Sequence, residues 1–137
     1  MTTGIQQSAE FPFRLVATWI SRRARLLELD TLVVSTGALC SLHCRDCGNF
    51  IPFLTPKLYD IEKLVTDIRL LARVARIKTI QIRGGEALLH PRLGDLVAAC
   101  LSLDFEQVCI ATNGVGRLPA DSAPILRDPR VELRISQ

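Results

Sequence analysis

"TLVVSTGALCSLHCRDCGN", residues 31–49, joins a short β-branched run to a loop holding three of the chain's five cysteines. Residues 31–37 are apolar, β-branched and closed by a glycine, which reads as a buried strand. A chemistry-bearing loop directly after a strand is the arrangement of parallel α/β folds, where ligands sit at the carboxyl ends of the strands. The rest of the chain should then alternate helices with further strands.

It does. Residues 50–57, "FIPFLTPK", carry two prolines and should be irregular. Asp60 is a good N-cap for a helix from Ile61 to about Arg76, with Ile61, Leu64, Val65, Ile68, Leu71 and Ala72 as its apolar stripe. "KTIQIRGGE" (78–86) reads as a strand running into a glycine pair. "HPRLGDLVAACLSL" (90–103) reads as a helix with Pro91 in its first turn. "EQVCIATNG" (106–114) is a third strand, "PADSAPILRD" (119–128) a short helix or turn, and "VELRIS" (131–136) a fourth strand.

Upstream, Phe13, Val16, Ala17, Ile20, Ala24 and Leu27 recur at helical spacing, predicting an N-terminal amphipathic helix with its arginines in water. The expected organisation is an N-terminal extension and helix over 1–30, and a core over 31–137. The core should be an α/β partial barrel of parallel strands, truncated at about four, built from right-handed βαβ units. Its loops 38–49, 84–90 and 113–116 all follow strands, so they should open on one side, next to one another.

The totals exclude several classes. A net charge of +3, with no Lys/Arg block interleaved with aromatics, gives no nucleic-acid footprint. No apolar run approaches the roughly 18 residues of a membrane span. The opening "MTTGIQQSAE" lacks the basic start and apolar run of a secretory signal, so the cytoplasm is the expected location. Thiols are kept reduced there, and an odd count of five cysteines also argues against a closed disulfide framework.

Cys40, Cys44 and Cys47 form C-x3-C-x2-C. Three thiolates on one tight loop can converge on a metal. A structural zinc site needs four protein ligands, and the fourth would have to be His43, folded back between two of the others. Cys44 and Cys47 alone would make a redox pair, which leaves Cys40 without a purpose. A [4Fe–4S] cluster held by three cysteines has one iron free for a ligand. The cluster is the leading reading, with zinc and a redox pair as alternatives. Cys100 and Cys109 fall on a predicted helix and strand and should be core residues.

At this point the sequence resembles the radical S-adenosylmethionine (radical SAM) superfamily. "CSLHCRDC" matches its three-cysteine signature after the first barrel strand, "RGGEALLHP" looks like its GGE motif after the second, "ATNG" is similar to its third-strand ending, and "LRIS" to its fourth strand. The resemblance implies that Cys40, Cys44 and Cys47 hold a [4Fe–4S] cluster, with S-adenosyl-L-methionine on the fourth iron. It also implies Gly84, Gly85, Glu86, Asn113 and Ser136 at the cofactor. Glu86 would pair with an ammonium group or fix its loop, and Ser136 would reach the ribose.

A reducing electron-donor protein and a substrate abstracted at hydrogen are implied too, with a peptide as the first guess. No side chain is assigned a catalytic role. Arg83 is read as a salt-bridge partner or a carboxylate contact, and His90 as a helix cap. The sequence departs from the family at Asp46, where an aromatic residue is common, and at Ala87, where proline usually follows GGE. It also supplies about four strands of a six-stranded partial barrel, so the competing reading is a non-enzymatic or degenerate iron–sulfur protein, an electron carrier or a truncated homologue.

Overall fold

A computed structural model describes residues 27–116 and 124–136. Its frame is one four-stranded sheet in the order β1-β2-β3-β4, from Leu27–Ser35, Ala75–Arg83, Gln107–Thr112 and Val131–Ile135. All three neighbouring pairs are parallel. Helix α1, Ile61–Leu71, links β1 to β2, and α2, Leu93–Leu101, links β2 to β3. The protein is thus α/β, as the alternation requires.

Both helices bury one stripe against the same face of the sheet. Ile61 and Ile68 of α1, and Leu93, Leu96, Val97 and Cys100 of α2, join Ile80, Ile82, Val108 and Ile110 in one buried cluster. The strand period of two places Val33, Ser35, Gln81 and Arg83 on the opposite face. Val33 is 49% exposed there, so that face is open among the described residues. Cys100 enters the core as expected. Cys109 is also buried, but on the other face, paired with Gln81 and Glu132 in the ladder.

Asp60 caps α1 as its position predicts, Oδ1 accepting the Glu62 N–H at 2.9 Å. Boundaries differ in two places. The expected helix through Arg76 stops at Leu71, because Val74 and Ala75 are taken by the sheet: the Leu27 N–H donates to the Val74 carbonyl at 3.2 Å, and Leu27 pairs with Ala75. For the same reason β1 begins at Leu27, four residues before the expected strand, so Leu27 is a strand residue and not the last turn of a helix. The rest of the predicted N-terminal helix lies outside the described residues. The 119–128 segment contains a single 3-10 turn at Ile125–Arg127, residues 117–123 being outside the description.

Candidate functional site

The carboxyl ends of all four strands meet at one cleft of about 730 Å³. Cys40, Cys44 and Cys47 line it from the loop after β1, Arg83, Gly84 and Gly85 from the end of β2, Thr112 and Asn113 from the end of β3, and Ser136 from the end of β4. The loops therefore do open side by side. The cysteine loop is held by continuation of the β1–β2 ladder past the strands themselves. The Thr36 N–H donates to the Arg83 carbonyl (2.7 Å), the Gly85 N–H to that of Gly37 (3.0 Å), and the Glu86 N–H to that of Leu39 (2.8 Å).

Two glycines make this docking sterically feasible. A Cβ on Gly85 would overlap the Leu39 carbonyl and lie 2.9 Å from the Cys40 Cβ. Gly37 has φ +147°, and a Cβ there would overlap the Lys57 carbonyl, where residues 57–59 cross the start of the loop. Only glycine serves where backbone meets backbone this closely.

Glu86 lies behind the cleft and is 1% exposed. Its carboxylate is fully engaged within the protein. Oε1 accepts from the Leu88 N–H at 2.9 Å and the Thr112 hydroxyl at 2.7 Å, and Oε2 accepts the Asn113 N–H at 2.6 Å. Of the two roles open to Glu86 in the sequence, the geometry provides that of fixing the loop, here by clamping the end of β2 to the end of β3. The sequence signal for that clamp is the Thr112-Asn113 pair, whose partner 26 residues earlier no local pattern reveals.

The clamp sets Asn113. Its Nδ2 donates to the Ser41 Oγ at 3.2 Å and makes a longer contact of 3.8 Å to the Cys40 Sγ, while Oδ1 accepts the Val115 N–H in a tight turn. Cys40 also receives the Leu42 N–H at 3.4 Å. Ser136 donates both its N–H (2.9 Å) and its hydroxyl (3.3 Å) to the Thr112 carbonyl, so it closes the rim beside Asn113.

All five cysteines are free thiols. Cys44 is exposed and Cys40 and Cys47 are half-buried, whereas burial pushes the Cys100 thiol up to about 12. Burial also raises the Cys109 thiol, and the Arg134 charge offsets part of that rise. Among the described residues, no three His, Cys, Asp or Glu side chains are drawn together tightly enough to hold a single metal ion. His43 does not line the cleft. Three soft thiols of one loop lining the cleft are the donor type of an iron–sulfur group, whereas a structural zinc ion needs four donors at about 2.0–2.3 Å.

His90 is a 5% exposed linker. Its Nδ1 accepts the Arg92 N–H (3.1 Å), which leaves the proton on Nε2 to be donated to the Tyr59 carbonyl (2.9 Å). It steadies the approach to α2, close to the expected capping role. Arg83 makes no ion pair with any described residue, so of its two sequence readings the salt bridge is absent there.

No family model matches the chain. A GTP 3′,8-cyclase of Chlorobaculum tepidum is 35% identical over 89 residues, which are 64% of this chain and 26% of that protein. In structure, the chain is similar over its whole length to Streptococcus suis SuiB, solved bound to S-adenosylmethionine, with a TM-score of 0.55 and 18% identity. It covers 31% of SuiB, a likeness of fold. The chain thus spans about a quarter of the curated relative it matches and about a third of the structural one. No described helix is long and apolar enough to cross a membrane. The sequence likeness and the shared fold bear out the resemblance carried by the four motifs.

Proposed function

We propose that residues 31–137 are the N-terminal part of a radical SAM core, in which Cys40, Cys44 and Cys47 ligate three irons of a [4Fe–4S] cluster and S-adenosyl-L-methionine occupies the fourth. The observation that carries this reading is that three free thiols of one loop, the glycine pair and the ends of β3 and β4 line one cleft. The chemistry such a cluster supplies when bound is one-electron reductive cleavage of S-adenosylmethionine to methionine and a 5′-deoxyadenosyl radical, which abstracts hydrogen from a substrate.

The chain's own residues prepare the site. Gly84 and Gly85 border the cleft and let the end of β2 dock closely against residues 36–40, which sets the cysteine loop beside it. Glu86 acts from behind, holding Asn113 against the cysteine loop, and Ser136 offers a hydroxyl at the rim where a ribose would lie. Asn113 is in contact distance of the Cys40 sulfur, and hydrogen bonds to cluster sulfurs tune reduction potential. The reading calls for a reducing protein as electron donor, a cytoplasmic setting that keeps thiols reduced, and a substrate for which a peptide is the first class to try.

The test is anaerobic reconstitution of the chain with iron and sulfide, followed by reduction in the presence of S-adenosylmethionine. The expected result is the charge-transfer absorption of a [4Fe–4S] cluster and release of 5′-deoxyadenosine. Cluster without cleavage would favour an electron carrier or degenerate relative. One zinc per chain with no cluster would overturn the iron–sulfur reading altogether.

A further inference from the structure

A second cleft, of about 300 Å³, opens beside the first and shares Asn49, Arg83 and Gly84 with it. Its walls are mixed: Val33, Ala38, Ile51, Leu54 and Tyr59 supply an apolar side, and Ser35, Asn49 and Arg83 a polar one. Arg83 is the one charged residue lining it. The ladder register sets Arg83 opposite Ser35 and one step along the same face from Val33, on the side of the sheet away from the helices.

A guanidinium is always charged and presents five donors in a planar fork. Beside an apolar wall and with no anion among the described lining residues, such a cation lacks the partner that partly buried charges ordinarily have. Arg83 is half-buried and has no ion pair or side-chain hydrogen bond with any described residue. Arg45 and Asp46 of the cysteine loop line the first cleft, which Arg83 also borders, but not the second. Lys57 sits over the ring of Tyr59, a lining residue, with its Nζ 5.8 Å from the ring centre.

We propose that this second cleft binds a carboxylate carried on a small apolar group, with Arg83 as its cation. The fork of one arginine matches the two oxygens of a carboxylate. A phosphate dianion would call for more donors, and the Ser35 hydroxyl is turned to the Gly37 carbonyl at 3.4 Å. The volume is at the low end of small-molecule pockets, about 300–1,000 Å³, and suits a residue-sized ligand. That such a carboxylate would belong to the substrate rests on the radical SAM reading; carboxylate binding itself does not, and is measured without cluster or S-adenosylmethionine.

The experiment titrates the ¹⁵N-labelled chain with N-acetyl-L-leucine, its neutral analogue N-acetyl-L-leucinamide, N-acetyl-isoglutamine and inorganic phosphate, following backbone amides. N-acetyl-leucine should shift Asn49, Ile51 and Gly84 saturably, and the neutral amide should bind at least about tenfold more weakly. Arg83→Gln should lose that preference for the acid, Arg83→Lys should keep part of it, and Val33→Trp should fill the cleft and abolish both. Tighter binding of N-acetyl-isoglutamine would assign the carboxylate to an acidic side chain, and of N-acetyl-leucine to a chain terminus. Equal binding of acid and amide, an unchanged preference in a folded Arg83→Gln, or phosphate binding as tightly as the acid would overturn the proposal. A chain that binds the acid but never cleaves S-adenosylmethionine would keep the pocket and remove only its placement in a radical enzyme.

Discussion

Replacing Glu86 by alanine takes one buried carboxylate away from three donors at once: the Leu88 N–H, the Thr112 hydroxyl and the Asn113 N–H. The Leu88 and Thr112 donors lie in buried pairs, while that of Asn113 is half-buried. A buried donor left without an acceptor costs about 1–3 kcal/mol. Water reaching the vacated space from the cleft side satisfies part of that, so the expected loss is about 3–5 kcal/mol, against the roughly 5–15 kcal/mol that holds a domain together. Glu86→Gln is milder. One oxygen can still accept from Leu88 and Thr112, but an NH2 group now faces the Asn113 N–H, donor against donor, for about 1–3 kcal/mol.

The assay is urea unfolding followed by far-ultraviolet circular dichroism, with amide hydrogen exchange at Asn113 as the local readout. Both variants should lower the midpoint in the order alanine below glutamine, with an unchanged slope. Exchange at Asn113 should quicken in Glu86→Gln beyond what the global loss explains. A double-mutant cycle with Thr112→Val should show coupling of about 0.5–3 kcal/mol. An alanine variant within about 0.5 kcal/mol of the parent, the range of an ordinary surface change, would refute the clamp. So would additive behaviour of Glu86→Gln and Thr112→Val.

Gly85→Ala should force the Leu39–Cys40 backbone off the end of β2 and cut the iron bound per chain after reconstitution several-fold, whereas Gly48→Ala, whose Cβ would meet nothing within 4 Å, should bind iron as the parent does. Native alkylation with iodoacetamide at about pH 8 should modify Cys40, Cys44 and Cys47 and spare Cys100 and Cys109 until the chain unfolds, as peptide mass mapping would show, because the two buried thiols are both inaccessible and held protonated. The Arg130 side chain and N–H hold the Asp128 carboxyl below its ordinary range, so this pair stabilises the fold above that range and the contribution is lost as pH falls through the lowered value. Asp128→Asn should therefore flatten the acid limb of a plot of urea midpoint against pH and leave the slope near neutrality unchanged.

The parallel order and the convergence of the loops were readable because strand and helix periods are local and because parallel connections fix which ends carry loops. The edges of elements were not. "LELD" at 27–30 alternates apolar and charged residues over only four positions, too short to outweigh the helical spacing that runs up to Leu27, and Leu27 is 62% exposed. Only pairing with Ala75–Ile77 makes it strand, and pairing is a property of two segments. The overlong helix ending at Arg76 fails for the same reason: Val74 and Ala75 have helical spacing but a ladder to complete. At position 86 the sequence left two roles open, since a carboxylate has the same appearance in sequence whether it meets a ligand or a threonine hydroxyl.

That difference bears on how the motif works. A glutamate facing the cleft would add charge to a ligand site, and its loss would be felt only on binding. A glutamate bonded to Thr112 and Asn113 makes the geometry of the site a matter of folding. The loop after β2 is zipped to the cysteine loop by backbone bonds at Gly85 and Glu86, and tied to the end of β3 by the Glu86 side chain. Asn113 in turn reaches back to Ser41 and the Cys40 sulfur, so the three loops form a closed ring of contacts around the cleft. In such a ring, displacement of one loop strains the other two, and the start of the cysteine loop with Cys40 is held by the fold itself. The entropy of ordering residues 36–41 is then met during folding, which leaves more of the binding free energy of any ligand of the cleft as net affinity.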